Sequence, residues 1–336
     1  MSFVPKNILV TGAAGFIGCN FVRMMLNKYS NIKIIGYDKL TYAGSLDNLH
    51  DVIDNPRHVF IKGDICDRQL VGKVLKEYSV DTIVHFSAES HVDNSIAGPE
   101  VFFQTNVMGT LSLIDEARKY WQDEMGWDDV QCRFHHVSTD EVYGTLGKND
   151  LAFTEETPYA PNSPYSASKA GSDHIVRSYF HTYKLPVTMS NCSNNYGPYQ
   201  HQEKLIPVII QACINQSPIP IYGDGSNIRD WLYVEDHCGA IDCIIRQGLI
   251  GETYNVGGDN ELSNLELAKK ICQQMDEVSP ENKPHEKLIK FVEDRKGHDL
   301  RYAIDNTKIC SELGWRPAQD FEGLLKTTVE FSLEVV

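Results

Sequence analysis

The stretch TGAAGFIG, residues 11–18, decides the fold class. It follows the apolar run ILVT (8–11) and brings Gly12, Gly15 and Gly18 to the point where a strand gives way to a helix. Bare backbone N–H groups at such a helix start can hold the pyrophosphate of a dinucleotide. The spacing is GxxGxxG instead of GxGxxG, and a Gly-rich turn alone is a weak signal. The stretch therefore predicts a dinucleotide site that the rest of the chain has to support.

Further apolar, β-branched runs alternate with longer amphipathic segments, which is typical of βαβ units. They predict an α/β fold with a doubly wound, Rossmann-type parallel sheet. From about residue 192, Gly, Pro and Asn clusters predict a smaller C-terminal substrate-binding domain, so we divide the chain into 1–191 and 192–336. Segments around 229–257 are expected to return to the first domain. The strand-like runs are IKIIGY (32–37), HVFI (58–61), DTIVHF (81–86), FHHVS (134–138), PVTMSN (186–191) and YNVGG (254–258).

Composition excludes several classes of partner. The 336 residues carry 31 basic and 46 acidic side chains, a formal net charge of -15, without a basic run for nucleic acid or an apolar run for a membrane. The nine cysteines lack CxxC spacing, so we expect reduced thiols and no metal site. The N-terminus MSFVPKNILVTG has no leader-like pattern, and we expect a cytoplasmic protein.

Asp38 stands 20 residues after Gly18 and closes the second predicted strand. A carboxylate there can accept hydrogen bonds from an adenosine ribose and repel a 2′-phosphate, which favours NAD over NADP. The neighbouring Lys39 blurs that preference, and the alternative is a turn or capping carboxylate. Asp64 and Ile65 end the third strand, where an adenine edge would lie.

Two further motifs carry chemistry. In YSASK, Tyr165 and Lys169 lie at i and i+4, so a helix would present both on one face, and the ammonium would lower the pKa of the phenol. In VSTDEVYG (137–144), Asp140 and Glu141 follow a predicted strand at the edge where parallel sheets bind ligands. Both motifs have a plain alternative, a solvated helix face for the first and a capping pair for the second.

Taken together, the motifs resemble the nucleotide-sugar 4,6-dehydratases of the extended short-chain dehydrogenase/reductase (SDR) superfamily. The resemblance runs from residue 7 to about 330, and we expect dTDP-glucose as substrate, in a deoxysugar route such as rhamnose synthesis. The motifs that carry it are GAAGFIG, YDKLTYAG, AESHVD, STDEVYG, YSASK, SNNYGPY, EKLIP, IRDWLYVEDH, YNVGG and GHDLRYAID.

The resemblance implies a reaction in three stages. Tyr165 removes the proton of the sugar 4-hydroxyl while hydride passes from C4 to NAD+. Glu141 then removes the C5 proton and Asp140 protonates the C6 hydroxyl, which leaves as water. Hydride returns to C6, so NAD stays tightly bound and is recycled in each turnover. The carboxyl pair needs opposite protonation states, with the pKa of Asp140 raised and that of Glu141 near its usual range.

The resemblance also assigns site residues. Thr139 joins Asp140, Glu141, Tyr165 and Lys169 in the catalytic set. The cofactor set comprises Gly12, Gly15, Phe16, Ile17, Gly18, Asp38, Lys39, Leu40, Thr41, Asp64, Ile65, Phe86, Ser87, Ala88, Glu89, Thr105, Tyr165, Lys169 and Asn195. The sugar-nucleotide set comprises Ser90, Thr139, Asn194, Lys204, Leu205, Ile206, Pro207, Pro220, Ile221, Tyr222, Arg229, Asn264, Asp294, Arg295, Lys296, Gly297 and His298.

Some residues carry separate expectations. Arg229 is expected to bind the diphosphate, the alternative being a structural salt bridge with Asp230 or Asp236. His135 and His136 are expected to be core residues. His201 and Gln202 depart from the aromatic residue and proline that the family usually carries in this loop. The family also implies a homodimer built through helices of the first domain, including the one that carries YSASK.

Alternative functions stay open. A UDP- or GDP-hexose 4,6-dehydratase would keep every catalytic residue and differ in the base pocket. A sugar-nucleotide 4-epimerase would share the glycines, Tyr165 and Lys169, but would not need Asp140 and Glu141. A non-catalytic NAD-binding sensor would have little reason to keep this catalytic set.

Overall fold

A seven-stranded parallel sheet forms the centre of the computed structural model, which describes residues 3–295 and 297–334. Its strand order is β10-β6-β5-β4-β1-β2-β3. The strands of the whole chain are β1 (Asn7–Thr11), β2 (Lys33–Asp38), β3 (His58–Lys62), β4 (Thr82–His85), β5 (Arg133–Thr139), β6 (Val187–Cys192), β7 (Asn194–Tyr196), β8 (Ile219–Tyr222), β9 (Ile228–Tyr233), β10 (Thr253–Val256), β11 (Glu261–Ser263) and β12 (Ile289–Val292).

Helices cover both faces of this sheet, so its strands are apolar on both sides. None of the helices in the described part of the chain is long and apolar enough to span a membrane. The helices are α1 (Phe16–Lys28), α2 (Arg68–Glu77), α3 (Val92–Ala97), α4 (Glu100–Phe102), α5 (Thr110–Arg118), α6 (Pro164–Tyr183), α7 (Leu205–Ile214), α8 (Val234–Gln247), α9 (Asn264–Val278), α10 (Thr307–Leu313) and α11 (Phe321–Glu334).

The two faces of the sheet bury two separate cores. One contains Trp121 and Leu113 with side chains of α2, α5 and α6, and the other contains Phe21 and Met25 of α1 with Ile241 of α8. Strand order reverses at β1, because the chain runs from β1 outward to β3 and then returns to place β4 on the other side. In open α/β sheets a ligand crevice forms at the carboxyl ends of the strands beside such a reversal.

The later part of the chain builds smaller sheets over that crevice. Strands β11, β9 and β7 form one sheet and β12 pairs with β8, around a third core of α7, α9 and α11. Helix α8 packs on the large sheet, and β10 lies beside β6 at its edge. The doubly wound fold predicted from the sequence is confirmed, and every predicted strand-like run lies in the large sheet. The division at 191/192 stays a prediction.

The glycine turn after β1 is set by close backbone contacts. Gly12 has φ +71°, in the left-handed region that favours glycine. A Cβ on Gly18 would stand 2.1 Å from the Gly12 carbonyl oxygen, too close for any side chain. Glycine at both positions therefore lets the first turn of α1 lie directly against the end of β1.

We expect Gly18→Ala to destabilise the fold by about 1–3 kcal/mol, since the backbone has to move to admit a methyl group. Gly239→Ala in α8 is the matched control, because its nearest neighbour would be Trp315 at 3.8 Å. That control should be neutral or stabilising by less than about 1 kcal/mol. Urea denaturation measures both, and equal stabilities would contradict the steric argument.

Candidate active site

A cleft of about 360 Å³ opens at the carboxyl ends of the central strands, between the large sheet and the later segments. The structure brings to its lining every predicted cofactor residue except Leu40, together with the whole predicted catalytic set. A joined pocket of about 160 Å³ continues from it. The predicted substrate residues that line either space are Ser90, Thr139, Asn194, Lys204, Leu205, Arg229, Arg295, Gly297 and His298.

Other predicted positions do not line these spaces. The side chains of Ile206 and Ile221 pack into the third core, and substrate contacts at these two positions stay predictions. Leu40 packs against the α1 core, and its backbone N–H donates to Asp38. Lys296 lies outside the described residues. The remaining positions away from the lining are Pro207, Pro220, Tyr222, Asn264 and Asp294.

Two of these positions support the smaller pocket from outside. Asp294 Oδ1 lies 2.7 Å from Nδ1 of His298, which lines the pocket. The ring of Tyr222 stands edge-on to His298, with 6.2 Å between centroids, and lies 5.4 Å from the guanidinium of Arg295. Substrate contacts at Asp294 and Tyr222 remain predictions.

Asp38 joins the end of β2 to the glycine turn. Its Oδ2 accepts from the backbone N–H of Ala14 at 3.0 Å, and its Oδ1 accepts from Leu40 N–H at 2.8 Å. Burial raises the pKa of this carboxyl, and the backbone hydrogen bonds oppose that rise. Asp38 is therefore held in place at the edge of the cleft and is more than a turn residue.

Lys39 forms an ion pair with Asp64, Nζ to Oδ2 at 2.7 Å. The pair spans the ends of β2 and β3 beside the cleft. A lysine engaged in this way is a weaker partner for a 2′-phosphate. Lys39 therefore weakens the preference for NAD over NADP less than the sequence alone suggested.

Tyr165 and Lys169 lie on α6, which begins with a capping box between Ser163 and Ser166. The Lys169 ammonium donates to the carbonyl of Val137 at 2.8 Å. Burial raises the pKa of Tyr165 well above its ordinary value, and the Glu141 carboxylate adds to the rise. The sequence predicted a pKa lowered by Lys169, whereas in the protein by itself burial of the phenolate shifts the pKa upward.

Asp140 and Glu141 begin a short 3₁₀ turn (Asp140–Tyr143) directly after β5. The hydroxyl of Thr139 caps this turn by accepting from Glu141 N–H at 3.3 Å, and it donates to Asp140 Oδ1 at 3.3 Å. Asp140 is only 2% exposed, and Oδ2 has no hydrogen-bond partner within the described ranges. Thr139 caps this turn instead of the carboxyl pair, and both Asp140 and Glu141 line the cleft.

The two carboxyl groups have different surroundings. Burial raises the pKa of Asp140 well above its ordinary range, and the negative charges of Glu141 and Asp230 raise it further. Burial also raises the pKa of Glu141, whereas the cations of Arg229 and Lys204 lower it. The predicted rise in the pKa of Asp140 agrees with the structure. The pKa of Glu141 is also raised, although we expected it to stay near its usual range. Asp140 remains the better proton donor and Glu141 the better acceptor.

Cations cluster around the smaller pocket although the chain is acidic overall. Arg229 is buried and donates to the carbonyls of Ile228 and Asp299, at 2.7 and 3.0 Å. Its guanidinium also stacks on the ring of Tyr302 at 4.2 Å. These contacts replace the salt bridge that was the structural alternative. Lys204 donates to the Ser90 carbonyl at 3.0 Å, and Arg295 pairs with Asp93 at 2.6 Å.

The structure adds lining residues that the sequence reasoning missed. Glu203 and Tyr302 stand beside predicted positions inside the quoted motifs EKLIP and GHDLRYAID, so the motifs themselves were the available signal. Trp231 and Ser193 reach the cleft from β9 and the loop after β6, and they too lie inside quoted motifs, IRDWLYVEDH and SNNYGPY. His91 lines the smaller pocket from the start of α3.

The histidines fall into two groups. His135 and His136 are fully buried in β5, as expected for core residues, and both hydrogen-bond to neighbouring side chains. His201 lines the larger cleft, and its Nε2 lies 3.1 Å from the carbonyl of Tyr42. The loop that departs from the family therefore touches the loop after β2 across the cleft.

Comparison with known proteins supports the same interpretation. The family model described as GDP-mannose 4,6 dehydratase matches residues 9–328. A dTDP-glucose 4,6-dehydratase of Neisseria meningitidis is 51% identical over 98% of this chain and 94% of its own. The crystal structure of a dTDP-glucose 4,6-dehydratase from Bacillus anthracis, in complex with NAD, is 46% identical with a TM-score of 0.86 over 98% of this chain and 97% of that chain.

A more distant structure shows the same fold with another activity. The UDP-glucose 4-epimerase of Thermotoga maritima, solved with UDP-glucose, is 27% identical with a TM-score of 0.86, covering 98% of this chain and 99% of that chain. The match over nearly the full length confirms the extended SDR fold. This chain is about twice as identical to the dehydratases as to this epimerase. The chain therefore belongs to the nucleotide-sugar 4,6-dehydratase family, among relatives named dTDP-glucose 4,6-dehydratase.

Proposed function

We propose that the protein is an NAD-dependent hydro-lyase that converts dTDP-glucose to dTDP-4-keto-6-deoxyglucose and water. The observation that carries this proposal is the carboxyl pair Asp140 and Glu141, placed with Tyr165 in one cleft beside the glycine turn. Elimination of water needs an acid and a base close together in different protonation states. Relatives of the same name, about half identical over nearly the whole chain, support the assignment.

The residues fit NAD as the cofactor. The glycine turn leaves bare backbone N–H groups at the start of α1, with no room for a Cβ on Gly18. Asp38 is oriented by backbone hydrogen bonds to receive a ribose diol, and Lys39 is engaged by Asp64. When bound, NAD+ supplies the hydride acceptor for C4, the donor for C6 and a positive charge beside Tyr165.

Each catalytic side chain then has one task. Tyr165 takes the proton of the 4-hydroxyl, with Lys169 fixed beside it by Val137. Glu141 removes the C5 proton, which the new 4-ketone makes acidic, and Asp140 protonates the C6 hydroxyl as it leaves. Each well-placed proton transfer contributes roughly 10² to 10⁴-fold in rate. The hydroxyl of Thr139 hydrogen-bonds to Asp140 and to the backbone N–H of Glu141, and so holds the two residues in a fixed relative position.

The sugar nucleotide would lie with its diphosphate at the smaller pocket. Lys204, Arg229 and His298 line that pocket, and Arg295 can exchange part of its contact with Asp93 for a phosphate oxygen. A 4-epimerase would need no acid–base pair at C5 and C6, so the buried Asp140 argues against that alternative. Thymine as the base is supported by the names of the relatives.

Assembly and location belong to the same proposal. Val101, Phe103 and Met108 are exposed apolar side chains, 43–48%, on the helical segment that packs beside α6. An exposed apolar patch of this kind fits a homodimer interface through the helices of the first domain. All nine cysteines are free, which suits the reducing cytoplasm.

The assay that tests the activity incubates the purified protein with dTDP-glucose in D₂O, with UDP-glucose in parallel. We expect loss of one water and deuterium at C5 of the dTDP product, detected by mass spectrometry and NMR. Faster reaction of UDP-glucose would move the assignment to the UDP-sugar alternative. An epimerised or unchanged sugar would refute the dehydratase.

Glu141→Gln should still give the NADH absorbance when dTDP-glucose is added, and should then stall because no base removes the C5 proton. Tyr165→Phe should suppress the NADH signal itself. Stopped-flow absorbance on both variants separates the two tasks. Normal NADH formation in Tyr165→Phe would remove Tyr165 from its role, and its loss in Glu141→Gln would remove Glu141 from the elimination step.

Phe103→Glu should convert the dimer to monomers, because a buried unpaired carboxylate in an apolar interface is costly. Sedimentation velocity measures the masses of wild type and variant. Val130→Glu is the control, since Val130 is 71% exposed in the loop before β5 and should leave the mass unchanged. A wild-type protein that sediments as a monomer would end the dimer proposal.

A further inference from the structure

Asp173 is a buried carboxyl group that the proposed reaction does not use. It lies on α6, one turn after Lys169 and two turns after Tyr165, so the three side chains form one stripe along the helix. Its side chain is 2% exposed. A charge buried to this extent is costly unless it is paired and hydrogen-bonded, so its surroundings have to explain it.

Three side chains donate hydrogen bonds to Asp173. The Ser138 hydroxyl lies 2.7 Å from Oδ2, the Tyr159 hydroxyl lies 3.0 Å from Oδ2, and Nε2 of His136 lies 3.0 Å from Oδ1. Ser138 and His136 belong to β5. These bonds hold the pKa of Asp173 below its ordinary value despite burial, so the group stays ionised.

The hydrogen bond from Ser138 to Asp173 affects the catalytic residues because of where Ser138 lies in the chain. Ser138 directly precedes Thr139, Asp140 and Glu141, so the bond from Ser138 to Asp173 ties the end of β5 to α6. The carbonyl of Val137 accepts from Lys169 and ties the same two elements a second time. Both halves of the proposed catalytic set are therefore aligned at one junction.

The negative charge of Asp173 also acts on the Lys169 ammonium. The titratable groups around the Lys169 ammonium are Asp173 and Tyr165 on α6, His136 on β5, His85 on β4 and Cys192 on β6. Burial lowers the pKa of both histidines and raises the pKa of Cys192, so these three groups stay neutral. Burial lowers the pKa of Lys169 too, and Asp173 is the first of the groups that oppose this.

We propose that Asp173 is a positioning residue for the dehydration, which fixes the end of β5 through Ser138 and supplies the buried counter-charge of Lys169. The inference rests on the proposed function, since it assigns Asp173 to the alignment of Tyr165 and Lys169 with the carboxyl pair. Asp173 itself acts through these neighbours and need not touch substrate or cofactor.

Asp173→Asn tests the proposal, because it removes the charge and keeps the shape. We expect kcat for dTDP-glucose to fall by roughly 10²-fold, the scale of a small misplacement at a reaction centre, with KM nearly unchanged. Without the carboxylate, the pKa of Lys169 should fall further, so Lys169 loses its proton at lower pH. The alkaline limb of the kcat profile should therefore move to lower pH.

Asp242→Asn is the matched control. Asp242 is also 2% exposed and has three partners, Lys28, Tyr29 and Arg246 at 2.7–2.8 Å, but it lies on α8 away from the cleft. This variant should lose stability while keeping kcat and the alkaline limb of wild type. Asp173→Glu should restore the alkaline limb of the kcat profile to its wild-type pH, since this variant keeps a carboxylate beside Lys169.

The outcomes separate the two proposals. Wild-type protein that does not dehydrate dTDP-glucose overturns the proposed function. Active wild type with an unchanged kcat and pH profile in Asp173→Asn overturns only the role of Asp173. A fall in kcat without a shift of the alkaline limb refutes the counter-charge. If Asp173→Asn does not fold, Ser138→Ala removes the tie to β5 alone, and an unchanged kcat there refutes the positioning role.

Discussion

The cost of burying a carboxylate governs the whole site. Each acidic side chain near the cleft has lost water, and each meets that cost in a different way. Asp38 accepts two backbone hydrogen bonds, Asp173 accepts three from side chains, and Asp230 accepts from the backbone of Gly258 and Asn260. These hydrogen bonds hold all three carboxyl groups in fixed positions. Asp140 lacks such donors to Oδ2 among the described residues, so its neutral form is favoured.

The same constraint explains how adjacent residues can take opposite parts in one reaction. Two neighbouring negative charges raise the pKa of Asp140, while the cations of Arg229 and Lys204 lower the pKa of Glu141. The difference arises from long-range placement, since the cations come from segments that follow β7 and form β9. The cationic pocket thus serves two purposes in the proposed reaction. It offers cations to a diphosphate, and the same cations lower the pKa of Glu141 against the rise that burial causes.

Local patterns in the sequence predicted the parts that depend on local geometry. The glycines, Asp38 and the i, i+4 pair on α6 each follow from spacing along one element, and the structure places them together in the cleft. The direction of the Tyr165 pKa was missed because desolvation depends on everything packed around the phenol. The side chains of Ile206 and Ile221 pack into the third core, which was not foreseen because a motif does not say which face of α7 or β8 turns inward. Trp231 was overlooked inside the quoted motif IRDWLYVEDH, because the motif does not say which of its side chains meet the cleft.

Two enzymes of one fold can catalyse different reactions when a single step differs. The UDP-glucose 4-epimerase of Thermotoga maritima and this chain superpose over nearly their full lengths, so sheet, crevice and glycine turn cannot decide between epimerisation and dehydration. In the proposed reaction, loss of water from the 4-ketone needs a neutral acid next to an ionised base at C5 and C6. Burial raises the pKa of both Asp140 and Glu141, and the charges around the end of β5 favour the difference between them. The specificity of the reaction therefore depends on two neighbouring side chains and on the charges that separate their pKa values.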